Sequence, residues 1–339
     1  MGLQIADIIP RKEIELNDLR GKTLAVDAFN VIYQFLSTIR QPDGTPLMDS
    51  KKRITSHLSG LFYRNISLIL EGIKLIYVFD GKAPDLKKRT HEKRQEIKDE
   101  ASERYEQAKS EDDVEGMGRY ARQIVHLDKE KIEESKQILQ AMGIAVVQAP
   151  GEGEAQASFI CKNGDAYAAA SQDYDCLVFN SPKLIQNLTL ARKRKTVSGF
   201  VEIKPQIIEL KEVLKELKIN HEQLTCIAIL SGTDYNPGGV RGIGPKKALK
   251  LVIEHKTCAK VFEHLEKEGK YSADFDWREI FELMKNPSVD EKYKIEFPKF
   301  DFAKVKSILM EHDFSEERIE SQFEKLREIK EAKKQKTLF

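Results

Sequence analysis

Cysteine is scarce: four in 339 residues, Cys161, Cys176, Cys226 and Cys258, with no CxxC pair among them. That spacing offers neither a disulfide frame nor a zinc cage, and fits free thiols packed in a reducing compartment. Net charge is nearly absent as well, +1 from 56 basic and 55 acidic residues, so bulk electrostatics makes no case for a polyanionic partner. Long apolar runs are missing. Segments such as TCIAILSG fall well short of the roughly 20 residues a membrane-spanning helix needs. The start, MGLQIADIIPRKEI, has no basic residues followed by an apolar block, and the expectation is an intracellular chain that meets no membrane. At 40% hydrophobic, the chain still has ample material for one large domain or two smaller ones.

What the sequence does have is segregated charge. Lys87, Lys88, Arg89, Lys93 and Arg94 crowd one segment, ARKRK at 191–195 is a second basic cluster, and Lys246, Lys247 and Lys250 form a third. The acids are placed differently, at the ends of apolar runs. KTLAVDAFN ends its run on Asp27 and KLIYVFDGKAP on Asp80, while GDAYAAASQDYDCLVF leads into Asp173 and Asp175, and GIAVVQAPGEGEAQA into Glu152 and Glu154. One such acid is ordinary turn or cap chemistry. Four runs ending this way point to a shared site.

Apolar runs near 22–26, 74–79, 143–148 and 166–171 alternate with helical patterns at 54–71 and 129–141. This predicts an α/β fold with a largely parallel central sheet and flanking helices. Such sheets bind ligands at the carboxyl ends of their strands, so Asp27, Asp80, Asp173 and Asp175 are expected on one edge. Asp173 and Asp175 are two apart, which in extended chain sends both side chains to the same face. Glu152 and Glu154 stand at a glycine-loosened helix start, and Asp234, after TCIAILSG, is a seventh candidate. Seven carboxylates need compensating cations. Oxygen ligands alone suit Mg2+, with Mn2+ able to substitute, and seven of them suit two ions, the arrangement that hydrolyses phosphodiesters with metals roughly 3.5 to 4 Å apart.

The segment 82–130, rich in Lys, Arg, Glu and Gln, has no clear apolar face and reads as a solvated helical hairpin or a cover over a site. After about residue 203 the chain is expected to be mainly helical, with a basic helix and tail at its end. GVRGIGPKKALKLV, 239–252, has the pattern of a helix-hairpin-helix element. Gly242 and Gly244 allow close backbone approach, the N–H groups after Gly244 can hold a phosphate, and Lys246 and Lys247 add charge. Such a hairpin reads DNA backbone rather than bases.

In combination LAVDAFNVIYQFL, YVFDGKAPDLKKRTHEKR, APGEGEAQA, SQDYDCLVF and LSGTDYNPGGVRGIGPKKAL resemble the XPG-type structure-specific 5′ nucleases, and within them the archaeal flap endonucleases, over essentially the whole length. The resemblance implies a PIN-like nuclease core with a helical arch, cutting 5′-flap DNA near the single-strand/duplex junction in replication and repair, with 5′–3′ exonuclease activity beside it. It implies that Asp27, Asp80, Glu152 and Glu154 serve mainly one Mg2+, and Asp173, Asp175 and Asp234 mainly the other. It also implies that Lys87 and Arg94 contact the scissile phosphate, that Tyr33 stacks near the cleaved nucleotide, and that Arg40 and Arg64 contact substrate backbone. Glu152, Gly232 and Asp234 fall at the DNA-facing rim. A potassium ion is implied at the hairpin, whose NPGG turn is one residue longer than in eukaryotic relatives. The division implied is an N-terminal region 1–98, an arch 82–130, an internal region 116–260 with the hairpin at 235–255, a helical part 261–326 and a basic tail 327–339. In that tail Gln335, Leu338 and Phe339 match the first part of a sliding-clamp-binding peptide, on an otherwise monomeric protein. Two other readings of the residues stand beside this one: SQDYDCL also resembles the Asp-x-Asp of aspartyl-phosphate phosphatases, and the hairpin alone would serve a non-catalytic module that binds branched DNA.

Overall fold

Short runs of Val, Ile, Leu and Ala punctuated by glycine build the sheet. Its strands, in chain order, are β1 (Lys12–Glu13), β2 (Thr23–Asp27), β3 (Lys74–Phe79), β4 (Ala145–Gln148), β5 (Ala168–Ala170), β6 (Lys183–Gln186) and β9 (Gln206–Glu209), with β7 (Lys193–Thr196) and β8 (Gly199–Glu202) forming a separate antiparallel pair. The computed structural model describes residues 3–41, 44–82, 84–111, 113–121, 123–124, 126–189, 193–196, 199–271 and 275–336. The sheet runs β1-β9-β6-β5-β2-β3-β4, parallel from β6 to β4 and antiparallel at the β9 and β1 edge.

Because β2 to β5 are covered on both faces, their sequences are apolar without alternation, as buried parallel strands require. Alternation survives in which core each residue joins. Ala25, Ile76, Val78 and Val147 pack on one side with helices Gly153–Lys162, His221–Ser231 and Pro245–His255. Leu24, Val26, Leu75, Tyr77 and Phe79 pack on the other with helices Ala28–Thr38, Ser56–Leu70, Lys129–Ala141 and Phe302–Glu311. The expected α/β sheet is therefore present, with helices where 54–71 and 129–141 predict them.

Three features depart from expectation. The strands β6 and β9 were not foreseen, and the second is why helix begins at Leu210 rather than near 203: Ile207 and Ile208 pair with β6 before the chain turns helical. Lys193, Arg194 and Lys195 of the second basic cluster lie in β7. Lastly, the helix Glu316–Lys336 continues through most of the expected tail, since LREIKEAKKQK consists of good helix formers. Gln335 is described only in its backbone, and Leu338 and Phe339 lie outside the described residues. The segment 82–130 forms helices Lys88–Ser110 and Val114–Ala121. Among the described residues no helix is long and apolar enough to cross a membrane.

Candidate active site

The carboxyl ends of four neighbouring strands, β5, β2, β3 and β4, open on one edge of the sheet. Asp27 ends β2 and caps helix Ala28–Thr38, accepting from the Asn30 amide at 3.2 Å. Asp80 follows β3 and accepts from the Gly153 amide at 2.7 Å. That bond joins it to the start of helix Gly153–Lys162, where Glu152 is the N-cap and Glu154 stands in the first turn. A Cβ at position 153 would lie 2.5 Å from Asp80 Oδ1 and 3.1 Å from the Val78 carbonyl, so only glycine admits this contact.

Asp173 and Asp175 follow β5, but not on extended chain. The strand stops at Ala170, the Ser171 hydroxyl turns forward to accept from the Asp173 amide at 3.2 Å, and Tyr174 takes helical dihedrals (φ −87°, ψ −2°) before the short helix Asp175–Val178. The same-face argument from strand alternation therefore fails, and an ST-type turn does the directing instead. Asp234 comes from the other side, beyond helix His221–Ser231 and Gly232, and its carbonyl accepts from the Thr90 hydroxyl of the arch. Lys87, at the base of the arch, closes the group: its ammonium pairs with Glu152, stands 3.5 Å from the Asp234 carboxylate and 5.4 Å over the Tyr235 ring.

Electrostatics records the crowding. Burial first, then the Asp80 charge, lifts Asp27 well above the ordinary carboxylate range. Burial and then Asp175 and Asp27 do the same to Glu154. Asp80 is pushed up to about 6, mainly by burial, and Asp175 to about 7 by burial, Asp173 and Asp234. For Lys87 burial acts to lower the pKa, yet Glu152, Asp234 and Glu154 outweigh it and the ammonium is held. Among the described residues no three acids stand close enough to form a ready metal cage. The Lys87 cation sits among them. The donor set nevertheless fits hard divalent cations: every candidate ligand is a carboxylate oxygen, and four are burdened by burial and mutual repulsion that positive charge relieves.

Three residues of this pocket went unremarked in the sequence. Asn30 donates its side-chain amide to Asp173 at 3.0 Å while its carbonyl accepts from the Gln172 amide at 3.2 Å. Ser171 donates to Glu154 at 2.9 Å. Tyr235 donates its hydroxyl to Glu152. Asn30 could have been found from its spacing, three residues after an N-cap Asp; nothing local marks the other two, whose partners lie 17 and 83 residues away.

The remaining candidates surround the pocket. Tyr33 is 38% exposed on helix Ala28–Thr38, with the Lys98 ammonium 5.8 Å over its ring. Arg40 follows that helix, and its guanidinium donates to the Ser37 and Gly44 carbonyls. Arg64 is on helix Ser56–Leu70, and Arg94 on the arch helix Lys88–Ser110, where its side chain is outside the described set. In the hairpin, Gly242 has φ +76°, and Gly244 is the N-cap of helix Pro245–His255 with no side-chain cap. Lys246 and Lys247 are both exposed, and Lys247 donates to the Gly242 carbonyl at 2.9 Å.

Two family models match the chain, the XPG N-terminal domain over residues 3–101 and the XPG I-region over residues 143–234. Flap endonuclease 1 of Pyrococcus abyssi is 51% identical over 341 aligned residues, spanning 100% of this chain and 97% of that protein. The chain belongs to the flap endonuclease family. The structure of flap endonuclease-1 from Methanococcus jannaschii is similar at a TM-score of 0.75 and 38% identity, over 98% of this chain and 100% of that one. The catalytic core of Rad2 in complex with DNA substrate shares the fold at a TM-score of 0.70 and 21% identity, over 94% and 96% of the two chains. Membership sets aside both the aspartyl-phosphate phosphatase and the non-catalytic module.

Proposed function

We propose that the chain hydrolyses one phosphodiester near the junction of a single-stranded 5′ flap with duplex DNA, using two Mg2+ ions that Mn2+ can replace. The observation that carries this reading is the set of carboxylates around Lys87 at the foot of a basic arch, Glu152 and Asp234 paired with it and Asp27, Asp80, Glu154 and Asp175 within reach of its charge. Asp27, Asp80, Glu152 and Glu154 are assigned to one ion, and Asp173, Asp175 and Asp234 to the other. When bound, such ions supply an activated water and offset charge on the attacking and leaving oxygens.

The chain's own groups do the rest. Asn30 and Ser171 hold Asp27, Glu154 and Asp173 in orientation. Lys87, which stands among the carboxylates that would hold the ions, would meet the scissile phosphate with its ammonium, and Arg94 would add a second positive charge there. The exposed Tyr33 ring is a platform for an unpaired base, and Arg40 and Arg64 take backbone phosphates. Gly242, Gly244, Lys246 and Lys247 grip the duplex through its phosphates, with Gly232 at the rim and potassium at the hairpin turn. A 5′–3′ exonuclease activity, a role in replication and repair, a monomeric state and a clamp tether through Gln335, Leu338 and Phe339 complete the reading; aromatic anchors normally carry most of such a tether's affinity.

The test is a labelled 5′-flap duplex incubated with the protein and either Mg2+ or a chelator. Cleavage near the junction is expected with Mg2+ and none with chelator. An uncut flap in Mg2+, or equal cleavage in both, would refute the assignment.

A further inference from the structure

Two helices leave the acidic pocket. Helix Ala28–Thr38 is capped by Asp27, and helix Lys88–Ser110 follows directly on Lys87. The Lys98 ammonium over the Tyr33 ring joins them partway along. Further out, Leu36 of the first, Arg40 just beyond its end and Tyr105 of the second line one cavity of about 340 Å3. At 1.5 Å per residue, Leu36 lies roughly 12 Å from the start of the first helix. The cavity is therefore on the same track as the acids, beyond Tyr33.

Its chemistry differs from its surroundings. The arch helix, KRTHEKRQEIKDEASERYEQAKS, is almost wholly charged and polar. The cavity instead has apolar walls from Leu36, Ile54, Ala121 and Ile124, an aromatic ring in Tyr105, and a few polar groups: Ser102, Glu106, His126 and the Arg40 guanidinium, which is held to the Gly44 carbonyl at 2.9 Å. Apolar walls with a few placed polar groups, in this volume range, are what small flat organic groups bind. A nucleobase has a face to stack and edges to hydrogen-bond, and an aromatic ring with a nearby Arg receives it whatever its identity. Position names the source, since the cavity lies beyond Tyr33 and Lys98 on helices that start beside Asp27 and Lys87: the single-stranded arm of the substrate.

We propose that this cavity receives one unpaired nucleobase of the 5′ flap, a few nucleotides from the cut, stacked against Tyr105. The proposal rests on the flap-cleaving reading of the acidic pocket and adds a second, base-holding contact to it. A base lodged there holds the arm at a fixed reach from the acids, so the contact is specific for position along the flap and indifferent to sequence.

The experiment moves a single abasic site through the first eight flap positions and measures steady-state cleavage by the full chain in Mg2+. One internal position is expected to raise KM by about five- to tenfold with kcat preserved, and 2-aminopurine at that position is expected to lose fluorescence on binding in chelator. Ala121→Leu, which fills the cavity, is expected to level the position profile while the intact flap is still cut. A flat abasic scan on a flap that is cut normally overturns the proposal, as does an unchanged profile in a folded Ala121→Leu variant. The scan on the unaltered chain decides the matter by itself if that variant does not fold. Failure to cut any flap is a different result: it overturns the nuclease reading, and this proposal falls with it.

Discussion

At the scale of single residues, charge and burial are set against each other. Asp175 is buried among like charges that push it up to about 7, a state that only a compensating cation makes useful. Asp175→Ala is expected to lower cleavage by about a hundredfold or more while flap binding stays within a few fold, because the lost interaction acts on the transition state. Parallel loss of binding in a gel-shift assay would mark Asp175 as structural. His57 presents the opposite sign. Burial lowers its pKa below the ordinary histidine range despite the Glu134 carboxylate at 2.9 Å. A depressed histidine contributes stability above the unfolded value, and that stability is lost as pH falls through the folded one. Denaturation midpoints are therefore expected to fall as pH drops below about 6.5, and His57→Gln to flatten the decline. An unchanged slope in the variant would place the pH sensitivity elsewhere.

At the scale of elements, two structures extend from the core toward substrate. The hairpin helix Pro245–His255 begins on Gly244, and its first turn carries Lys246 and Lys247. Replacing both lysines with alanine is expected to weaken binding of every flap sequence alike and to reduce the salt slope of log K by about 1 to 2, the signature of lost phosphate contacts. A change in base preference would contradict backbone reading. The arch helices Lys88–Ser110 and Val114–Ala121 bury Ala101, Ala108 and Ala121, with most of the longer helix polar. Few apolar contacts mean a small opening free energy, so their amides are expected to exchange faster than those of β2 and β3 in the free protein and to slow on flap binding. Protection equal to the sheet's without DNA would remove the gating role.

At the scale of the whole molecule, the C-terminal helices close the second core over the sheet's far face. Phe323 of helix Glu316–Lys336 is buried and meets Phe62, Phe300 and Phe302 edge to face. Phe323→Ala is expected to cost about 3 to 5 kcal/mol in urea unfolding, with catalysis intact in what remains folded. A shift below about 1 kcal/mol would mean that this helix closes nothing. Arg53 strengthens the same joint, pairing with Asp49 at 2.7 Å and with Glu311 at 3.1 Å across 258 residues of sequence. The end of the chain is thus packed against residues that lead to Arg40 and the mouth of the arch.

The sequence by itself determined the four parallel strands β2 to β5, the placement of acids at their carboxyl ends and the hairpin, because each rests on a local pattern: a buried apolar run, the residue that ends it, a Gly-x-Gly turn before a basic helix. It also carried the family, through motifs spread over the full length. What only the tertiary structure decided depends on partners distant in the chain. Asn30 holds Asp173 from 143 residues away, Ser171 reaches Glu154 across 17, and Tyr235 finds Glu152 from 83 residues away. Strands β6 and β9 were illegible because four residues of ordinary composition become strand only when an edge is there to pair with. The cavity beside the arch was illegible for the same reason. Leu36, Tyr105 and Ala121 are unremarkable until three helices bring them to face one space.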